Sequence, residues 1–278
     1  MNLKRSGRFM WIALTVLAIS FTGCSDDEGP TGPGGFTADD ADDVAVQASM
    51  SLGVIGALVE GSASGAGGGA PAGSAMGTMR LFNAGPGLGV QTDTTFYAGD
   101  VTITLSRTWY SLTGDEQTVP DATTDSVHST SRVTGDAETP RYTVTIGHAG
   151  ELGIGGLNPV RSDIWINGSC HDTLTSHFTA LTRPVERWFL CRTSSVIDDV
   201  RWMKPNGSPT YPESGTITMT LFAARHRDGD RLDVDRTVEA TVVVTFNGTR
   251  YPDVTVNATW HYVWDLDNGT IVRAGTDA

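Results

Sequence analysis

The chain has 278 residues, a formal net charge of −13, 33 glycines and 37 threonines, and only two lysines, Lys4 and Lys204. With 39% hydrophobic residues it can bury a core, and its length suits one large domain or two small ones. A glycine- and threonine-rich, lysine-poor composition excludes a coiled coil or a helical bundle, and the acidic balance lacks the basic footprint of a nucleic-acid binder.

Residues 1–23 read as a signal peptide. Lys4, Arg5 and Arg8 precede an apolar run from Phe9 to Phe21 that is too short to span a bilayer comfortably. The run ends in Phe21-Thr22-Gly23-Cys24, which resembles the lipobox of bacterial lipoproteins, with Phe21 where that family usually has Leu. The resemblance implies cleavage before Cys24, which becomes the lipidated N-terminus of a chain carrying −16. Acyl chains of the palmitate type each add about 0.8 kcal/mol per buried methylene, so together they anchor the protein without spanning the membrane. Ser25, in place of the Asp that favours inner-membrane retention in Gram-negative lipoproteins, points to the outer membrane. The acidic run Ser25-Asp26-Asp27-Glu28 is similar to the surface-export signal of Bacteroidetes-type lipoproteins and equally fits a solvated spacer, so a periplasmic and a surface-facing placement both stay open. Residues 24–36, acidic and then Gly/Pro-rich, form a flexible tether.

Thr37, followed by Asp39 and Asp40, marks a helix start, with acids in the first turn where the macrodipole favours them. Ala41, Val44, Ala45, Ala48, Leu52, Ile55 and Val59 recur at helical spacing, which predicts a helix over 37–60. The segment 61–92, centred on Gly67-Gly68-Gly69, reads as a loop and lacks the lysine and flanking elements of a phosphate-binding loop.

From residue 93 to 278 the apolar period is two. Val101, Ile103 and Leu105 alternate with polar residues, as do Tyr142, Val144 and Ile146; Ile217, Met219 and Leu221; Val238 to Phe246; and Val254 to Leu266. The expected fold is therefore mainly β, a single antiparallel sheet system (curved sheet, sandwich or partly open barrel) with the N-terminal helix packed on it as one domain. The apolar face lies on even positions on both sides of the Asn247-Gly248-Thr249 turn, so paired residues there sum to an even number. That predicts a three-residue loop at 247–249, or a two-residue turn with a bulge near Tyr251-Pro252. Asn268-Gly269 predicts a two-residue turn pairing Leu266 with Ile271.

Several groups are candidate sites. Cys170 and Cys191, an even pair in an exported chain, predict a disulfide across a turn near Ala180-Leu181, contributing roughly 3 kcal/mol. Trp260, Tyr262 and Trp264 share one strand face and read chiefly as core, with a ligand platform as the rival. Asp228, Asp230, Asp233 and Asp235 suggest a loose calcium site, although Leu232 and Asp233 break the EF-hand pattern. The six histidines form no metal motif, and the sequence has no Gly-x-Ser-x-Gly elbow and no His-Glu-x-x-His. No catalytic residue and no obligatory cofactor is thereby indicated.

The expected function is a membrane-anchored envelope lipoprotein serving as a non-catalytic binding, adhesion or structural module, with an envelope protein, glycan or lipid as its partner. The alternatives are a carrier of an apolar ligand (lipid or lipoprotein) and a hydrolase of glycan or peptide.

Overall fold

The computed structural model describes residues 36–38, 40–48, 93–98, 100–139, 142–179, 186–203, 211–228, 234–267 and 269–275. The signal peptide with Cys24, most of the tether, the helix beyond residue 48 and the glycine-rich loop lie outside the described residues. So do the turn at 180–185, Asp230, Asp233 and Asn268.

Helix α1, described at 38 and 40–48, begins where the side chains cap it. The Thr37 N–H donates to the Asp40 carboxylate (2.8 Å), and the Asp40 N–H donates back to the Thr37 hydroxyl (3.2 Å). This reciprocal pair satisfies two of the N–H groups that a helix start leaves without partners. Ala41, Val44, Ala45 and Ala48 are buried while Asp42, Asp43 and Val46 are exposed, so the predicted face is the face that packs.

Twelve strands follow: β1 (Asp93–Ala98), β2 (Val101–Ser111), β3 (Glu116–Gln117), β4 (Thr124–Thr139), β5 (Tyr142–Gly155), β6 (Asp163–Thr179), β7 (Glu186–Met203), β8 (Ser214–Asp228), β9 (Val234–Thr245), β10 (Asp253–Val256), β11 (Trp260–Asp265) and β12 (Thr270–Arg273). They form one antiparallel sheet in sequence order, with the short β3 paired to β2 off the main path. The protein is mainly β with one short helix, as its period-two pattern predicts. Among the described residues no pairing joins β12 to β1, and no second sheet is present.

From β2 to β11 the buried side chains of the sheet gather on one face. Trp109, Val127, Ile154, Ile166, Met219, Val242, Val254 and Trp264 belong to a single core cluster that also holds Ala41, Val44, Ala45 and Ala48 of α1. A continuous sheet buries one face in this way only by curving around it, and each large side chain so buried is worth about 1.5–3 kcal/mol. The helix is also tied by polar contacts. Asp40 pairs with Arg236 of β9, the Tyr262 hydroxyl of β11 donates to Asp42 (2.6 Å), and Arg273 of β12 donates to the Ala38 carbonyl (2.7 Å). Tyr262 and Trp264 are only 3% exposed, and Trp260 is half-buried with the Arg273 guanidinium over its ring at 4.8 Å.

Three expectations about register need correction. Asp253 pairs with Thr245, so the sum is even as predicted, but the connection runs from 246 to 252. Its length comes from the Asn247 side chain, which bonds the Thr249 N–H and the Tyr251 carbonyl and holds a wider loop. The stretch 254–266 is not one strand: Asn257-Ala258-Thr259 turns it into the β10–β11 hairpin, with Val256 opposite Trp260. Asn257 and Ala258 take positive φ there, and the Asn257 side chain accepts the Thr241 N–H (2.8 Å). The last hairpin is shifted by one pair, because Ile271 faces Trp264 and Leu266 turns away to donate its N–H to the Arg250 carbonyl.

The disulfide is the fourth correction. Cys170 and Cys191 are both buried and both free. In the β6–β7 ladder Cys170 faces Ser195 and Cys191 faces Leu174. The cysteines therefore stand four residues apart along the strands, about 13 Å, well beyond disulfide reach.

Candidate functional site

Strand alternation sorts the buried face into rows that run across the sheet. One row is Leu105, Ser131, Gly150, Cys170 and Ser195; the next is Ile103, Val133, His148, Asp172 and Thr193. Arg107 and Ser129 face each other in the row beyond Ser131, and both are buried. On β2 to β7 the inner face thus carries a band of polar side chains inside an otherwise apolar interior.

Within that band three side chains are hydrogen-bonded in sequence. His148 and Asp172 are directly opposed on β5 and β6, and His148 Nδ1 lies 2.7 Å from Asp172 Oδ1. His148 Nε2 lies 2.9 Å from the Ser131 hydroxyl on β4. Ser131 and His148 are diagonal neighbours, since Ser131 faces Gly150 and His148 faces Val133. The missing side chain at Gly150 makes the diagonal possible. A Cβ there would sit 2.9 Å from Ser131 Oγ, 3.1 Å from His148 Nε2 and 3.2 Å from Cys170 Sγ. The imidazole leans through the space that glycine leaves open.

The surroundings bias the chemistry. The His148 side chain is 9% exposed and that of Asp172 32%, so the pair is sheltered at one end and reaches water at the other. Burial pushes the Cys170 thiol up to about 12 and the Cys191 thiol up to about 11, with the Asp172 charge adding to both. Both sulfurs are therefore neutral at ordinary pH and poor nucleophiles. Burial also lowers the Arg107 guanidinium from its ordinary value without discharging it. Ser195 Oγ, fully buried behind Cys170, has no hydrogen-bond partner among the described residues.

The residues singled out from sequence lie elsewhere. Tyr262 and Trp264 are core, which leaves no exposed three-ring platform. Asp235 pairs with His226, Asp228 ends β8, and among the described residues no group of three or more potential metal ligands occurs. A shallow depression on the outer face between β6 and β9, lined by His171, Arg192, Phe222, Glu239 and Asn257, is a further concave surface. Sequence reasoning misses Ser131, His148 and Asp172 because nothing local marks them; only the β4–β5–β6 register, the consequence of turn positions, brings them together. Comparison of the chain with known protein families, with curated proteins and with solved structures returns no match.

Proposed function

We propose that the protein is a lipid-tethered protein of a bacterial envelope, held through acylated Cys24 to the outer membrane, whose β domain works in the water beside it. The observation that carries this reading is the way α1 joins the sheet. The segment from Cys24 to Thr37 extends at most about 45 Å. Directly after it, Ala38, Asp40 and Asp42 are fastened to β9, β11 and β12. A membrane anchor at Cys24 would thus hold a rigid body at short range. The outer face supports a tether over insertion, because Arg132, Glu151, His171 and Arg192 project from it where a lipid-facing band would be apolar. The partner is a protein, glycan or lipid of the envelope, and the half-exposed Ile103, Leu105 and Val133 on the inner face favour an apolar molecule among these.

Metabolic labelling with a radioactive fatty acid tests the anchor. The parent chain takes up label and fractionates with outer membrane, and Cys24→Ala loses both. A variant labelled as strongly as the parent overturns the reading.

A further inference from the structure

We propose that Ser131 is a nucleophile and that Ser131, His148 and Asp172 make this domain an esterase for small apolar acyl esters. The inference goes beyond the tether reading and does not rest on it.

Three observations converge. The connectivity is that of an activated hydroxyl: Asp172 accepts the proton on His148 Nδ1 (2.7 Å), which leaves Nε2 as the acceptor for the Ser131 hydroxyl (2.9 Å). Ser131 is half-exposed, and Gly150 lets the imidazole reach its hydroxyl, because a Cβ at that position would sit 2.9 Å from Ser131 Oγ and 3.1 Å from His148 Nε2. Finally, the neighbours suit an acyl chain. Leu105 faces Ser131 and Val133 faces His148, with Ile103 across from Val133, and all three are half-exposed although they lie on the buried face. Cys170 borders the same space, but its thiol, pushed up to about 12, stays protonated and leaves Ser131 as the reactive group.

The reaction is hydrolysis in two balanced halves. Ser131 Oγ bonds to the ester carbonyl carbon while its proton passes to His148 Nε2. The carbon–oxygen bond to the alcohol then breaks, and the alcohol leaves with that proton. Water adds to the acyl-serine, giving its proton to His148, and the carboxylic acid departs as the proton returns to Ser131. Asp172 touches no reacting atom and acts as a positioning residue that holds the tautomer. The β4 and β5 amides are committed to the ladder, so negative charge on the carbonyl oxygen has to be met by a side chain. Arg107, diagonal to Ser131 on β2, carries the positive charge nearest in register. A site without paired backbone donors suits esters with good leaving groups and not amides.

The full chain, purified in detergent, is treated with a fluorophosphonate probe and assayed on p-nitrophenyl butyrate. One phosphonyl adduct is expected, on the peptide holding Ser131. Ser131→Ala should lower hydrolysis at least about a hundredfold with an unchanged melting curve. Asp172→Asn should lower kcat with little change in KM, which a purely structural role would not produce. Should Ser131→Ala fail to fold, the adduct's position in the parent decides. No adduct at Ser131, or a folded Ser131→Ala that hydrolyses as fast as the parent, overturns the proposal and leaves the lipid anchor unaffected.

Discussion

Where α1 docks, the inner face is built from Val242 and Val244 of β9, Val254 and Val256 of β10, and Tyr262 and Trp264 of β11, all nearly fully buried. Across β2 to β7 the same face carries Arg107, Ser129, Ser131, His148, Asp172, Thr193 and Ser195. The first region gains free energy from every side chain it removes from water. The second spends some of it, because a buried polar group costs stability unless it is hydrogen-bonded. The apolar side chains of both regions share one core cluster, but the reactive polar side chains are gathered in a band across β2 to β7, with one continuous sheet joining the two.

The largest expected effect lies in the apolar region. Trp264→Ala should cost about 3–5 kcal/mol in chemical denaturation, because it empties a closed site in the core cluster that α1 shares with β11. A cost below about 1 kcal/mol would mean that the helix-covered region does not carry the fold.

Alkali should act on the polar region. The Cys170 thiol rises from 9.0 to about 12 on folding and that of Cys191 from 9.0 to about 11, both chiefly through burial. A group with a raised folded pKa contributes fully below its unfolded value and loses that contribution as pH climbs toward the folded one. Stability should hold through neutrality and then fall, by roughly 2–3 kcal/mol at pH 11 from Cys170 alone. Denaturation at stepped pH measures this, and Cys170→Ala should flatten the slope. A thiol reagent should find two free sulfhydryls only after unfolding; a single disulfide in the non-reduced mass would contradict the register.

The smallest effect sharpens the contrast most. Asp172→Ala leaves the His148 Nδ1 proton without its acceptor and should cost about 1–3 kcal/mol. Replacing Ser131, His148 and Asp172 together with apolar residues of similar volume should cost less than that single change, or even stabilise. If the triple replacement is instead the most damaging, these side chains hold the fold, and their chemistry is incidental.

The sheet was legible because alternation marks a half-buried strand directly. The turns were less so, and the β10–β11 hairpin shows why. A three-residue loop keeps Val256 and Trp260 on the same parity, so the period-two pattern runs through Asn257-Ala258-Thr259 unbroken and imitates one long strand. Only the positive φ that Asn tolerates marked the reversal, and Ala258 hid it. The same uncertainty concealed the candidate site. His148 meets Asp172 and Ser131 only when two registers are right, and a shift of two residues in either would part them. Cys170 and Cys191 show the same sensitivity: the β6–β7 register sets Cys170 opposite Ser195 and Cys191 opposite Leu174, and the predicted bond is lost.

The helix precedes every strand in the chain, yet its polar ties reach β9, β11 and β12. Each strand of the main path pairs with a sequence neighbour, so hairpins can form in succession as the chain emerges, each closing only a short loop. The helix cannot follow that order. Arg236, Tyr262 and Arg273 arrive last, and until they do Asp40 and Asp42 have nothing to hold. The first segment made is thus among the last to settle, and a chain cut short before β11 would lack that closing step, presenting Val242 and Val244 as a sticky surface to quality-control proteases.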